Sequence, residues 1–175
     1  EERYDDPDIF AKNEWDYHPK IVQAEYDFEN MMILADMMGT CKFGTQYNQP
    51  VTGINVPQWT DFLSAATGAR FSEDELREAA HRVLTLERSY NAREGIRRID
   101  DYPFYLWWKK KYGTPHPVYT GDQVPLNEEK YDRILNEWYS MQGYDLETGI
   151  PGSSELERCG LYDVLEDFTA RKLNV

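Results

Sequence analysis

Met31-Met32-Ile33-Leu34-Ala35-Asp36-Met37-Met38-Gly39-Thr40-Cys41-Lys42-Phe43 joins the end of an apolar helix to a polar loop. Phe28, Met31, Met32, Leu34, Ala35 and Met38 recur three and four positions apart, the spacing of one helix face, so a helix is expected from about Ile21 to Met38. Gly39 can take the left-handed conformation that commonly closes a helix. Asp36 then falls in the last turn and Cys41 in the loop beyond. A carboxylate there opposes the helix dipole by a few tenths of a kcal/mol, up to about 1. An amine-bearing ligand or a neighbouring cation would offset that cost. By itself the pattern Asp-x-x-Gly-x-Cys also suits a solvated acid followed by a small buried cysteine.

Outward from this stretch the chain continues to read as helices. The polar and aromatic residues 1–20, with Pro7 and Pro19, form an irregular opening segment. Cys41 to Val56, rich in Gly, Asn, Gln and Pro, reads as a loop of the kind that carries ligand contacts. Pro57 can open the next helix and Gly68 can close it, with Trp59, Phe62, Leu63 and Ala66 inward. Ser72-Glu73-Asp74-Glu75 is a capping box that starts a helix to about Glu94, ended by Gly95. Its expected apolar stripe is Leu76, Ala79, Ala80, Val83, Leu86 and Tyr90. A short helix is expected near Pro103 to Lys110, and a longer one over Asn127 to Met141 with Tyr131, Ile134, Leu135, Trp138 and Met141 inward. Two short terminal helices, Ser154 to Cys159 and Tyr162 to Arg171, complete the reading. No alternating run suggests a sheet. The expected fold is all-α, an irregular multi-helix bundle over residues 21–175.

Composition narrows the function. At 175 residues the chain can bury roughly 70% of its unfolded surface. Five Trp and thirteen Tyr favour a packed protein over a disordered tail. The net charge of −13 argues against a nucleic-acid backbone as partner, which requires clustered Lys and Arg. Lys109-Lys110-Lys111 is one short basic run, read as a solvated rim or a docking point for an acidic partner. No apolar run approaches the ~20 residues of a membrane span. Two cysteines, Cys41 and Cys159, make no disulfide framework and suit a reducing cytoplasm. Cys159 reads as structural. The chain opens on Glu1 without a Met, which fits a processed chain or a fragment.

Two further segments are unusual: Glu87-Arg88-Ser89-Tyr90-Asn91-Ala92-Arg93-Glu94-Gly95-Ile96-Arg97-Arg98-Ile99-Asp100-Asp101, and Gly143-Tyr144-Asp145-Leu146-Glu147-Thr148-Gly149-Ile150-Pro151. Together with Asp36 to Phe43, and in this order, they resemble the C-terminal part of the tungsten-pterin aldehyde ferredoxin oxidoreductase family. The resemblance runs from about Tyr26 to about Val164. The matching patterns are Asp-x-x-Gly-Leu-Cys-Lys-Phe, Glu-Arg-x-x-Asn-x-Arg-Glu-Gly-x-x-Arg-x-Asp-Asp and Gly-Trp-Asp-x-x-Thr-Gly-Ile-Pro. Thr40 departs from the usual Leu, and Pro103 comes one residue early.

The resemblance implies a C-terminal oxidoreductase domain within a longer enzyme that oxidises aldehydes to carboxylic acids. Implied cofactors are a tungsten (or molybdenum) bis-pterin and a 4Fe-4S cluster. Cys41 would be one cluster ligand, the other three lying upstream in the polypeptide, and Asp36 would contact the pterin through charge-assisted hydrogen bonds. Thr40 would make a backbone contact that needs no particular side chain, and Gly39 and Lys42 would help shape the pterin loop. Implied partners are the N-terminal remainder of the enzyme, a small aldehyde, and ferredoxin or another electron-transfer subunit. The isolated chain is expected to be inactive. Tungsten-dependent benzoyl-CoA reductase subunits of the same family remain an alternative, as does a stand-alone helical interaction module built around Trp107 and Trp108. The charges from Arg88 to Asp101 read either as phosphate-binding arginines or, preferentially, as ion pairs pinning a helix end to the following loop. His18, His81 and His116 show no zinc spacing, and His81 reads as a half-buried surface residue. None is assigned a catalytic role.

Overall fold

The computed structural model describes residues 20–45, 53–115 and 127–173. Residues 1–19, with His18, and the stretch carrying His116 lie outside the described residues. Among the described residues there are seven α-helices and no strand. They are α1 (Ile21–Met37), α2 (Val56–Thr67), α3 (Glu73–Arg93), α4 (Phe104–Tyr112), α5 (Glu128–Gln142), α6 (Ser153–Arg158) and α7 (Tyr162–Arg171). Single bridges pair Thr45 with Ile54 and Tyr144 with Pro151. The all-α expectation holds, with helix ends within a few residues of those expected.

Side chains set those ends. Before α2, Asn55 Oδ1 accepts from the Gln58 amide at 3.0 Å, and Gln58 Oε1 accepts from the Asn55 amide at 3.0 Å. The expected box before α3 forms as well: Ser72 Oγ accepts from the Glu75 amide at 3.2 Å and Glu75 Oε2 from the Ser72 amide at 2.8 Å. Each such cap supplies about 1 kcal/mol by satisfying amides that the helix leaves unpaired.

The chain divides into two compact units, Glu25–Glu87 and the remainder. In Glu25–Glu87 the core joins Ile33, Leu34 and Ala35 of α1, Val56 and Trp59 of α2, and Leu76 and Ala80 of α3. Two expected α2 core positions are corrected. Phe62 is 57% exposed and Ala66 is exposed. The buried line runs through Val56, Trp59 and Leu63, and Phe62 sits about 100° round the helix from Leu63. The α3 stripe is corrected too. Leu86 and Tyr90 are exposed, while His81, Thr85, Arg88, Ser89 and Ala92 are buried. That buried face has helical spacing but is mostly polar, so hydropathy alone points to the wrong side. His81, expected at the surface, is buried and shares a 3.1 Å hydrogen bond with Tyr26 Oη through Nδ1.

In the remainder, one cluster gathers Ala92, Ile150, Leu156, Cys159, Leu161 and Phe168, and another Tyr102, Leu106, Leu135, Tyr139 and Tyr144. Cys159 is buried, with Sγ donating to Glu155 Oε1 at 3.1 Å, as a structural thiol should be. Arg88 organises the polar interior. Its guanidinium bonds Asp101 twice, at 2.8 and 2.6 Å, and donates to the Gly149 carbonyl at 2.7 Å. Tyr139 Oη donates to the same Asp101 carboxylate. Tyr131 Oη donates to the Asp101 carbonyl at 2.6 Å. Burial, then Asp101, push the Tyr139 phenol well above its usual range, and burial pushes Tyr131 up to about 12. Both therefore stay protonated donors.

Arg98 repeats the device on the neighbouring loop. Its amide donates to the Thr148 carbonyl at 2.8 Å, and its side chain to the Leu146 carbonyl at 2.8 Å. Arg97 reaches the Ala92 carbonyl at 2.6 Å, and Arg93 pairs with Glu94. These partners accord with the structural reading of the charge run. Within the third segment, the Asp145 carboxylate accepts from the Thr148 hydroxyl at 2.6 Å and its amide at 2.8 Å. The hydroxyl bond holds that carboxyl below its usual range.

Gly149 lies where these elements converge. It has φ of 72°, and a Cβ there would fall against Arg88 Nη2 and within 2.5 Å of Tyr139 Oη. Gly149→Ala is therefore expected to cost about 3 kcal/mol or more in urea unfolding, from backbone strain plus a disturbed ion pair. Gly113→Ala, also left-handed at φ 69° but facing open space, should cost only about 1 kcal/mol. Equal losses would contradict this role for the Arg88 network.

Candidate cofactor-binding loop

The loop after α1 is built by two anchors. At its start, Gly39 takes φ of 64°. The Gly39 amide donates to the Asp36 carbonyl at 3.1 Å and the Thr40 amide to the Ala35 carbonyl at 2.9 Å. This paired closure is the one a left-handed glycine produces, and it reverses the chain at once. Nothing lies within 4 Å of a Cβ built on Gly39, so the backbone angle, not crowding, requires glycine. Thr40 adds a bond that an aliphatic residue could not: its hydroxyl donates to the same Ala35 carbonyl at 3.2 Å. The departure from Leu at this position therefore leaves the turn intact.

At the far end Thr45 is fully buried. Its hydroxyl donates to the Lys42 carbonyl at 2.8 Å and its amide to the same oxygen at 3.1 Å. The Ile54 amide donates to the Gly44 carbonyl at 2.8 Å. Between the anchors, Cys41 is extended and Lys42–Gly44 forms one tight 3-10 turn. The Gly44 amide donates to the Cys41 carbonyl at 2.9 Å.

The reversal brings residues six apart together. Lys42 Nζ lies 2.8 Å from Asp36 Oδ2, with about half of each side chain exposed. This cation answers the dipole penalty expected for Asp36. An exposed pair of this kind adds only about 0–1 kcal/mol to stability, because water screens it. Cys41, the residue before Lys42, is a free, exposed thiol. Phe43 is 76% exposed and Met37 44%.

Gly39, Thr40 and Cys41 thus lie on one short, doubly anchored loop, Asp36 lies in the last turn of α1, and Lys42 joins the loop to it. Thr45 escaped the sequence reading. Its signal was a hydroxyl three residues after Lys42, the spacing of a turn-closing side-chain bond. The donor set suits the expected groups in part. One exposed thiol can give one soft ligand, and one carboxylate can accept from paired N–H groups. Sulfur ligands for a cluster usually number four, so this thiol could be at most one of them.

The burial contrast between the two thiols gives a direct check. One thiol per native chain, Cys41, should react promptly with a disulfide reagent, and Cys159 only after denaturation. Two prompt thiols, or none, would contradict the loop as described.

Three comparisons bear on identity. A family model described as aldehyde ferredoxin oxidoreductase, domains 2 & 3, matches residues 4–161. The tungsten-containing aldehyde ferredoxin oxidoreductase of Pyrococcus horikoshii is 27% identical over 142 residues, covering 79% of this chain and 21% of that protein. The active-site complex of benzoyl coenzyme A reductase with 1,5-dienoyl-CoA superposes with a TM-score of 0.69 at 23% identity, over 87% of this chain and 21% of that one. The chain therefore spans about a fifth of the length of each. With the matched region covering most of its length, this chain belongs to the aldehyde ferredoxin oxidoreductase family, in the part described as domains 2 and 3.

Proposed function

We propose that this chain forms the C-terminal part of a tungsten-pterin, iron-sulfur oxidoreductase that oxidises aldehydes to carboxylic acids and passes electrons to ferredoxin or a comparable acceptor. The observation that carries the reading is the loop itself. An acid in the last turn of α1 and an exposed thiol on the doubly anchored turn after it fall on the residues that match the family pattern. When bound, the tungsten-pterin centre and the cluster supply the two-electron and one-electron chemistry.

The chain's own residues supply position. Asp36 accepts hydrogen bonds from the pterin's amino and ring N–H groups. A carboxylate accepting two such bonds makes the stronger, charge-assisted kind. Cys41 provides one thiolate to the 4Fe-4S cluster, with the other three ligands supplied by the rest of the enzyme. Gly39 and Thr40 set the turn that joins these two groups. Arg88, Arg97 and Arg98 are committed to Asp101, Asp132 and main-chain carbonyls, and Arg93 to Glu94, which supports a role in the fold over one in phosphate binding. Among the described residues no helix is long and apolar enough to cross a membrane. A cytoplasmic enzyme is part of the same proposal.

In the intact enzyme, Cys41→Ala should lower bound iron and interrupt electron transfer from aldehyde to acceptor. Full iron content with undiminished transfer would overturn the ligand assignment. Turnover of an aromatic acyl-CoA in place of aldehydes would keep the site and replace the reaction with ring reduction.

A further inference from the structure

We propose that Lys42 is a positioning residue for the Asp36 carboxylate, fixing it so that it can receive the cofactor. The inference deepens the proposed function and rests on it. A carboxylate in the last turn of a helix faces the carbonyl-rich, negative end of that helix and has no favourable partner within it. Here Leu34, Ala35 and Asp36 carbonyls are all turned to amides of the closing turn, and the side chain is left to an outside cation. Lys42 provides it at 2.8 Å.

The backbone that bears the lysine is fixed: its carbonyl accepts twice from Thr45, which is fully buried. It approaches one carboxylate oxygen, Oδ2. A carboxylate offers about four acceptor sites. One occupied oxygen thus leaves capacity for a planar pair of N–H donors.

Water screens this pair in the chain alone, which is why its contribution to stability is small. A cofactor bound at Asp36 would exclude water and strengthen the same pair. Lys42 should therefore matter little to folding and considerably to cofactor retention. Lys42 also follows Cys41 directly in the chain. A cation beside an anionic cluster favours the reduced form, so its removal shifts the cluster potential downward.

The test uses the full-length holoenzyme with Lys42→Gln, Lys42→Arg, Asp36→Asn and Cys41→Ala. Readouts are pterin per chain, iron per chain, thermal midpoint, and cluster potential by redox titration with EPR. Lys42→Gln should retain iron and thermal stability. Its pterin retention should fall by about tenfold, the low end of what supporting partners of a bound group contribute. Its cluster potential should move to a more negative value. Lys42→Arg should restore both. If Lys42→Gln keeps full pterin and an unchanged potential while Asp36→Asn loses pterin and Cys41→Ala loses iron, the site reading stands and the role of Lys42 is overturned. If Asp36→Asn keeps its pterin and Cys41→Ala its iron, the site reading fails and takes this proposal with it.

Discussion

Arg88 is the side chain on which the C-terminal part of this protein depends. A nearly buried guanidinium is tolerable only when its donors are used, and here Asp101 and the Gly149 carbonyl use them. Burial disfavours the charge, but Asp101 more than restores it. One residue at the end of α3 thereby ties together the turn after that helix, the Tyr139 phenol of α5 and the loop before α6. Removing one partner of such a pair costs about 3–5 kcal/mol, far more than an exposed ion pair contributes. Tight geometry around Arg88 also explains why residue 149 can carry no side chain.

The loop after α1 follows the opposite physical logic. Its anchors are neutral main-chain and hydroxyl bonds, and its charges lie in water. That arrangement gives a rigid backbone with exposed, polar, reactive groups, as a ligand-binding loop on a fixed scaffold requires. The Ile33, Leu34, Ala35 core segment holds α1 in place immediately before Asp36, so the site's position is set by apolar packing and its chemistry by the turn.

Much of this was legible in the sequence. Gly39 announced the helix end, Ser72 and Glu75 announced a helix start, and the order of three motifs carried the family. What escaped detection was polar. The buried face of α3 uses Thr85, Arg88 and Ser89, which a hydropathy stripe passes over in favour of the exposed Leu86 and Tyr90. Phe62 misled for the converse reason, being apolar but rotated away from Trp59 and Leu63. Lys42 and Thr45 act through contacts three and six residues away across a reversed turn. Periodicity cannot see such contacts: the first depends on the left-handed Gly39 between Asp36 and Lys42, the second on the tight turn over Lys42–Gly44.

The central claim is that Cys41 is bonded to iron in the intact enzyme. The most direct measurement is EPR of the reduced cluster after Cys41→selenocysteine, made with a spin-active selenium isotope. Iron ligation predicts resolved selenium hyperfine coupling on the cluster signal. A full cluster signal with no selenium coupling would contradict the account.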